Sequence, residues 1–484
     1  MKSAYFMEGK KYSWETLKSM LSCSNMEMEQ LINILRENNI VKKINNLDRQ
    51  NDKLFKEYRR EVDVNQFDYV FNFVGIVIAQ GIVFKCYPKY IVNSNEPKME
   101  LCQILKVLKK CEYKYQQLKM FDNVDKTKYS NHLAIILRLF QDYFDNGLYY
   151  NFETNVEING EGEIIWDKTM DDSFVLFSNK KPIYTELYTK CQFINENDYF
   201  KRLHECVLTL ANKELKKTEL LEYFEIPEIE LSNEMLDEFG DKEYILYKLE
   251  KELKNQYVTR KQNTLSMIYA FVNNEERLFD IDCFTVFGTN HFNVVWEMVC
   301  SEIMNNQLHK QLYKIKCPID ISQKYNITDT LQDIIEKPFW SYANRKADDT
   351  FIPDLITTFV DEGSYYFAIL DAKYYTPLLE KDKSPKGQPG IESIIKQYMY
   401  QLSFQHFIND SKFDYVLNCF LMPSDERSEI ITKGYVELEN LQSIGLQKIQ
   451  VKFLPAVLMY DYYLKGRSIE LPKLFNASEE NKEC

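Results

Sequence analysis

A turn between two short apolar segments constrains the fold of this chain more than any other feature. The segment FIPDLITTFV (351–360) is followed by DEGS (361–364) and then by YYFAILDAKYY (365–375). The midpoint between Asp354 and Asp371 falls inside the DEGS turn, so a hairpin folded there brings the two carboxylates opposite each other. The sequence therefore predicts two acids at the open end of a hairpin.

The residue order after the second strand adds a cation to this pair. Strand side chains alternate between faces, so Asp371 and Lys373 share one face while Leu370 and Ala372 point to the other. Paired carboxylates on strands suit Mg²⁺, with Mn²⁺ as an alternative, because both ions prefer oxygen ligands and retain waters. A nearby ammonium can orient the attacking water or stabilise developing negative charge. This set of groups predicts hydrolysis of a phosphodiester.

The pattern resembles the PD-(D/E)xK nuclease superfamily, with Pro353, Asp354, Asp371 and Lys373 at the motif positions. A D-x-K tripeptide alone also occurs by chance on many strands. Here, however, the apolar strand 367–370 ends directly at the acid, which a purely structural strand has no reason to do. The resemblance implies an α/β fold in which a mixed sheet is flanked by helices, and a divalent metal held by Asp354 and Asp371.

The superfamily usually adds a glutamate on an upstream helix, and the segment FGTNHFNVVWEMVCSEIMNNQL offers one in Glu297. Four apolar residues recur there at helical spacing: Phe292, Val295, Val299 and Ile303. Glu297 is expected to serve as a further metal ligand or as the group that orients the water. Glu302 competes for that role, and either acid can instead be a solvated surface charge.

A downstream helix, IESIIKQYMYQLSFQHF, carries Gln397 and Gln401 one turn apart. In related nucleases a glutamine on this helix lies near the active site, so Gln397 is a candidate supporting residue. The alternative is a polar stripe on a surface helix.

Between the second strand and this helix runs the loop LLEKDKSPKGQPG, with Lys381, Lys383 and Lys386 among turn-forming residues. These lysines are candidates for DNA phosphate contacts. They can equally well keep an exposed loop soluble, and the sequence does not separate the two interpretations.

The acidic composition argues against a chain that binds DNA tightly by itself. There are 60 Lys and Arg against 73 Asp and Glu, for a net charge of −13. DNA repels such a chain at long range, although clustered lysines and bound metal ions offset this locally. Weak intrinsic binding fits a nuclease subunit that a partner delivers to DNA.

The cysteines and the apolar segments indicate the compartment. Eleven cysteines include no C-x-x-C pair and only five histidines are present, which favours neither a zinc cluster nor a disulfide framework. The first residues lack an apolar signal core, and no apolar run is long enough to cross a bilayer. We expect a cytoplasmic protein without a membrane partner.

The length of 484 residues predicts about three domains. Residues 1–95 are expected to hold a winged-helix-like element, with a helix after Ser13, a second helix and a strand, followed by a β-hairpin. Residues 96–275 are expected to form an α+β, largely helical region that contacts a partner or DNA. Residues 276–484 are expected to form the nuclease domain.

Segments outside the nuclease motif carry a more specific resemblance. The block FNFVGIVIAQGIVFKCYPKYI, the segment GEIIWDKTM with Trp166 and Lys168, the VVWEM helix and the PD…DAK core together resemble LlaJI-type restriction endonucleases. The wider likeness is to McrC-type nuclease subunits. It implies a McrB-like AAA+ GTPase as partner. A cognate DNA methyltransferase in the same system is a further candidate partner, because any modification of host DNA would have to come from a separate chain. The chain has no G-x-x-x-x-G-K-[ST] phosphate loop, so nucleotide hydrolysis is expected from that separate chain.

The favoured function is cleavage of double-stranded DNA in a restriction system that defends against phage. A homodimer or a larger complex is expected, because nucleases with one active site often pair to cut both strands. Two alternatives stay open. One is a non-catalytic DNA-binding or motor-docking subunit with a nuclease-like scaffold, and the other is a nuclease of the same fold in repair or transposition.

Overall fold

The computed structural model of the protein describes residues 2–44, 69–94, 96–114, 131–274, 277–379 and 383–476. Helices and strands are mixed along the chain, so the predicted α/β class is confirmed. The strands are β1 (Lys2–Met7), β2 (Lys11–Tyr12), β3 (Val41–Lys43), β4 (Tyr69–Phe71), β5 (Val74–Ala79), β6 (Ile82–Tyr87), β7 (Phe152–Ile158), β8 (Glu163–Ile164), β9 (Val175–Ser178), β10 (Lys181–Tyr184), β11 (Tyr188–Ile194), β12 (Phe284–Thr289), β13 (Phe339–Trp340), β14 (Arg345–Lys346), β15 (Leu355–Asp361), β16 (Ser364–Ala372), β17 (Tyr415–Ser424), β18 (Ile431–Val436) and β19 (Ile449–Pro455). The helices are α1 (Trp14–Leu21), α2 (Asn25–Glu37), α3 (Lys98–Lys114), α4 (His132–Asn146), α5 (Trp166–Asp172), α6 (Tyr199–Lys217), α7 (Lys242–Asn255), α8 (Thr259–Asn273), α9 (Phe292–Ile303), α10 (Ile391–Ser411), α11 (Glu439–Gln442), α12 (Ala456–Leu464) and α13 (Leu471–Asn476).

The chain divides into two compact units. One comprises residues 129–285, and the other combines residues 2–128 with residues 286–484. The predicted domain limits after residues 95 and 275 fall at positions outside the described residues, and that three-part division stays a prediction.

The second unit contains a five-stranded mixed sheet in the order β15-β16-β17-β19-β18. Strands β16, β17 and β19 run parallel to one another, whereas β15 and β18 pair antiparallel at the two edges. Helix α10 packs against this sheet through an apolar cluster that includes Phe367 and Ile369 from β16 and Phe404 and Phe407 from the helix. Burial of these side chains fixes the face of β16 that looks toward α10.

The β15–β16 hairpin has the register that the sequence predicts. Its pairs run from Leu355 opposite Leu370 to Asp361 opposite Ser364, so the turn residues are Glu362 and Gly363. Their φ angles of 47° and 86° are both positive, as a two-residue type I′ turn requires. The predicted hairpin is therefore confirmed.

The N-terminal helices form as the sequence predicts. Ser13 caps α1, and Ser24 with Glu27 forms a capping box at α2. Leu31 and Leu35 are buried on the inner face of α2. Strands β2, β4 and β3 form a small sheet beside them, and whether this winged-helix-like element contacts DNA or protein stays a prediction.

Strands β1, β6, β5 and β12 form a four-stranded sheet. The sequence predicts two strands in residues 67–92, and the structure has three, because the short β4 precedes the β5–β6 hairpin. A Cβ on Gly75 would lie 2.1 Å from the backbone oxygen of Phe287, so β5 and β12 approach this closely only with glycine there.

The unit of residues 129–285 has helices α4, α5, α6, α7 and α8, a three-stranded sheet in the order β7-β11-β8, and the β9–β10 hairpin. Helices α4 and α6 bury polar residues, among them His132 and Glu214, which lie 3.0 Å apart (Nε2 to Oε2). In the described parts of the chain, every helix is too short or too polar to cross a bilayer.

Candidate active site

The candidate site lies where β16 ends. The Asp371 carboxylate is buried at 2% exposure, and its Oδ2 lies 2.9 Å from the Nζ of Lys373, whose side chain is 22% exposed. This ion pair requires both side chains on one face, as strand alternation predicts. Leu370 and Ala372 are buried in the core instead. A buried acid therefore meets a lysine that still reaches solvent.

Asp354 directly precedes Leu355, which pairs with Leu370. Asp354 therefore lies opposite Asp371. Its Oδ2 and the Oδ1 of Asp371 are buried and have no hydrogen-bond donor among the described residues. Two carboxylates can bond each other only when one is protonated. Burial raises the pKa of Asp371 well above its usual range, and the nearby Asp354 carboxylate raises it further. Lys373 only partly opposes the shift.

Lys373 remains a cation in this setting. Burial works to lower the pKa of its ammonium, but Asp371, Asp354 and Glu297 together raise it above the ordinary value. The backbone of Lys373 is also fixed, because its N–H donates to the carbonyl of Leu421 on β17 at 2.9 Å.

Glu297 lies on α9, whose predicted apolar face is buried at every expected position. The neighbouring Trp296 is fully buried, and its indole N–H donates to the Leu421 carbonyl that Lys373 also uses. Burial first and the charge of Asp354 second raise the pKa of Glu297 to about 7, while Lys373 lowers it. Glu297 therefore shares the electrostatic environment of the two aspartates.

The competing acid on α9 has a different neighbour. The Oε1 of Glu302 lies 3.8 Å from the Nζ of Lys110 on α3. Glu297 interacts electrostatically with Asp354 and Lys373.

The segment that follows α9 holds the start of β15. Asn306 donates from Nδ2 to the carbonyl of Asp354 at 3.1 Å and accepts at Oδ1 from the N–H of Ile356 at 3.2 Å. Gln307 bonds the next part of this edge strand, since its Oε1 accepts from the N–H of Thr358 at 3.2 Å. One continuous segment thus carries Glu297 and positions the backbone of Asp354.

Gln397 is buried between α10 and the sheet. Its Nε2 donates to the carbonyl of Ile369 at 3.1 Å and to Oδ1 of Asn418 at 2.6 Å. Gln401 is also buried, and its Oε1 accepts from Asn418 at 3.3 Å. The two glutamines therefore lie under the sheet near the site rather than on a surface stripe, and a direct role of Gln397 in the reaction stays a prediction.

The predicted DNA-contact loop is described only in part. Lys381 lies outside the described residues. Lys383 and Lys386 are exposed, and Lys386 forms an antiparallel bridge with Leu378 through its backbone. This bridge closes the loop next to the end of β16.

Two groups near the site are not foreseen from sequence. Burial and the charges of Asp371, Asp354 and Glu297 raise the pKa of Tyr400 on α10 to about 12, which places this hydroxyl in the field of the acids. In the sequence, its position one turn after Gln397 is the feature that indicates a place near the site.

The second unforeseen group comes from the N-terminus. The hydroxyl of Tyr374, directly after Lys373, donates to the buried carboxylate of Glu8. Lys89 lies with its Nζ 4.6 Å from the centre of the Tyr374 ring. Nothing in the sequence near Glu8 indicates this contact, since the two residues lie 366 positions apart.

The two aspartates of the candidate site have the chemistry of ligands for a hydrated divalent ion. Among the described residues, no three histidine, cysteine or acidic side chains are grouped as a complete ligand set. Mg²⁺ usually takes only one or two carboxylates and completes its shell with waters and substrate phosphate. The buried oxygens of Asp354 and Asp371 that lack donors have the chemistry of such ligands.

Comparison with known proteins gives the family. The family model of the LlaJI restriction endonuclease matches residues 73–457. The chain belongs to the LlaJI restriction endonuclease family. This confirms the resemblance predicted from sequence, and the matched range contains Glu297, Asp354, Asp371 and Lys373.

A relative of this LlaJI family protein is the type II restriction enzyme BsuMI component YdjA of Bacillus subtilis (strain 168). The two are 27% identical over 424 residues, which cover 86% of this chain and 85% of the relative. The chain is thus similar over most of its length to a component of a restriction enzyme.

Two solved structures from Thermococcus gammatolerans are similar to this LlaJI family chain at a low level. For a half-complex of McrB AAA+ hexamers with bound McrC the TM-score is 0.39 at 12% identity, covering 99% of this chain and 100% of that chain. For the McrBC complex the TM-score is 0.24 at 10% identity, covering 61% and 85%. Likeness at this level supports no statement about the partners of this chain.

Proposed function

We propose that this LlaJI family protein is a metal-dependent endonuclease that cleaves double-stranded DNA, with a PD-(D/E)xK active site at the end of the β15–β16 hairpin. The observation that carries the proposal is the contact of Lys373 with Asp371 beside Asp354. In a member of a restriction endonuclease family, two juxtaposed acids and a lysine are the groups that hydrolysis of a phosphodiester requires.

In this proposal Asp354 and Asp371 hold Mg²⁺, or Mn²⁺ in its place. When bound, the ion acidifies a water and stabilises charge on the scissile phosphate. Lys373, kept protonated by three acids, positions that water and stabilises the developing negative charge. Glu297 acts as a further ligand or as the group that orients the water, and its raised pKa suits proton transfer near neutral pH.

Gln397 and the loop lysines have supporting roles in the proposal. Gln397 holds the backbone of β16 two residues before Asp371, through the Ile369 carbonyl. Lys381, Lys383 and Lys386 contact DNA phosphates next to the site, where a loop closed by the bridge at Leu378 is well placed to do so.

The proposed setting is a cytoplasmic restriction system with a McrB-like AAA+ GTPase and a cognate methyltransferase. The acidic net charge of −13 and the lack of a phosphate loop support a nuclease subunit that a separate motor brings to DNA. A homodimer or a larger complex would supply the second active site for the second strand.

The test is cleavage of unmodified plasmid DNA by the full chain with Mg²⁺, with and without the motor and GTP. Asp371→Ala and Lys373→Ala are expected to abolish cleavage while the circular dichroism spectrum is retained. Glu362→Asn, at the closed end of the same hairpin, is the matched control and should cut normally. Full cutting by either active-site variant would refute the assignment, and no cutting by the parent protein in any condition would favour the non-catalytic alternative.

A further inference from the structure

A second hairpin precedes the candidate active site and is exposed on both faces. Strands β13 and β14 pair with Phe339 opposite Lys346 and Trp340 opposite Arg345. Every residue from 336 to 346 is exposed, with Trp340 at 66% and Tyr342, in the loop, fully exposed. A soluble protein has no structural use for three uncovered aromatic rings on one short ribbon.

The strand pairing places one cation on each face of this ribbon. Directly opposite residues of a hairpin share a face, so one face presents Phe339 with Lys346 and the other presents Trp340 with Arg345. Each face therefore combines an aromatic ring with a cation. We propose that the β13–β14 hairpin is a DNA-contact element that enters the major groove beside the cleaved phosphate; the proposal rests on the DNA cleavage proposed above.

The major groove accommodates a two-stranded hairpin of this kind. The major groove of B-DNA is about 12 Å wide and admits a two-stranded ribbon. A ribbon that enters a groove meets a wall on each side, which explains why both faces carry a cation. Arg345 and Lys346 would then bind phosphates or base edges, and the rings of Trp340 and Tyr342 would contact base edges such as the thymine methyl group.

The position along the chain fixes the reach of the hairpin. Asp354 follows Lys346 by eight residues, and eight extended residues span at most about 28 Å. At 3.4 Å per base pair this is roughly eight base pairs. With a scissile phosphate at Asp354, the base of the hairpin at Lys346 must lie within about that distance of the cut.

Charge favours DNA over a protein as the occupant. The basic pair lies on the ribbon, whereas the acids Asp348 and Asp349 follow at its base, away from the loop. The base itself is closed by the Thr350 hydroxyl, which donates to the Glu336 carbonyl at 2.6 Å, and by the Ala347 N–H, which donates to the Pro338 carbonyl at 2.8 Å. The positive part is thus the part that projects.

The test measures binding of a labelled mixed-sequence duplex of about 40 base pairs by fluorescence anisotropy, at several salt concentrations starting near 50 mM. The full chain carries Asp371→Asn so that the DNA stays intact. Arg345→Ala/Lys346→Ala should weaken binding about tenfold and lower the slope of log affinity against log salt by about 2, because two phosphate-directed cations are lost. Trp340→Ala/Tyr342→Ala should weaken binding with the slope unchanged.

Tyr313 and Lys314 supply a matched control. They are an exposed aromatic ring and an exposed cation on one short helical turn, and Tyr313→Ala/Lys314→Ala should bind like the parent. This inference alone would be overturned if both β13–β14 variants kept the affinity and the salt dependence of the parent. It would also be overturned if the control variant lost as much affinity as they do. The measurement is repeated with the AAA+ partner and GTP, and failure of the parent to bind DNA in either condition would overturn the proposed function with it. If the variants lose only the AAA+ partner, the hairpin is a protein-docking element and the inference is wrong.

Discussion

At the scale of single residues, the candidate site places like charges together at the expense of stability. Asp371 is buried beside Asp354, and both have oxygens without donors. Without a metal this arrangement favours protonation of Asp371, as its raised pKa shows. Sites that bind cations often hold such destabilising pairs, because the bound ion relieves the repulsion.

Asp354→Asn is therefore expected to raise stability while it abolishes cleavage. The amide removes one of two opposed carboxylates and leaves the Lys373–Asp371 ion pair in place. We expect the free energy of unfolding of the metal-free protein to increase by about 1 kcal/mol at pH 7. Urea unfolding measures the change.

Mg²⁺ supplies the control for this prediction. An ion present at 100 times its dissociation constant stabilises the folded state by about 2.7 kcal/mol, so Mg²⁺ should raise the melting temperature of the parent protein. In the Asp354→Asn variant, Mg²⁺ should raise the melting temperature much less. An equal increase in parent and variant would show that the ion does not bind at Asp354.

At the scale of elements, α10 is joined to the sheet by a buried polar network. Gln397 bonds Asn418 and the Ile369 carbonyl, and Gln401 bonds Asn418 from the next turn. Buried polar groups are costly when they lose a partner, so this network fixes the position of the helix relative to β16 and β17.

Gln397→Ala is expected to lower the free energy of unfolding by about 1 to 3 kcal/mol, because the Ile369 carbonyl and the Asn418 side chain each lose a donor. Chemical denaturation measures the loss. Gln405→Ala on the same helix, where the side chain bonds only Asn409 one turn away, should change stability by less than about 0.5 kcal/mol. Equal effects of the two variants would contradict a special role for the buried network.

At the scale of the whole molecule, the unit of residues 129–285 contains a buried neutral histidine. The Nδ1 of His204 accepts from the N–H of Tyr149 at 3.0 Å, and its Nε2 is buried without a partner in the part of the chain that the structure describes. Burial lowers the pKa of His204 to about 4, although Asp142 opposes the shift. Protonation would require a charge inside the core and the loss of the Tyr149 bond.

This unit should therefore become less stable as the pH falls from about 6.5 to 4. Over that range the unfolded chain takes up a proton at His204 that the folded chain does not, which costs up to about 3 kcal/mol of unfolding free energy. His204→Asn keeps an acceptor for Tyr149 and removes the titration, so its stability should depend less on pH. Urea unfolding of both proteins between pH 7 and pH 4 makes the comparison, and identical slopes would exclude His204 as the cause.

The sequence by itself determined the parts of the site that local patterns encode. The DEGS turn and the lengths of the flanking strands fix the pairing of β15 with β16, and strand alternation puts Asp371 and Lys373 on one face. The apolar period of three and four residues likewise predicts α9 with Glu297 on its less buried side. These features depend on neighbours within about twenty residues, and a turn or a helical period constrains such neighbours directly.

Only the tertiary structure decided which distant segments surround these residues. It buries Gln397 under the sheet, brings Tyr400 into the field of the acids, and sets Glu8 against Tyr374 from 366 positions away. It also joins residues 2–128 with residues 286–484 in one compact unit. Such contacts depend on how whole elements pack their apolar faces, and that packing leaves no periodic signal in the polar residues that it brings together.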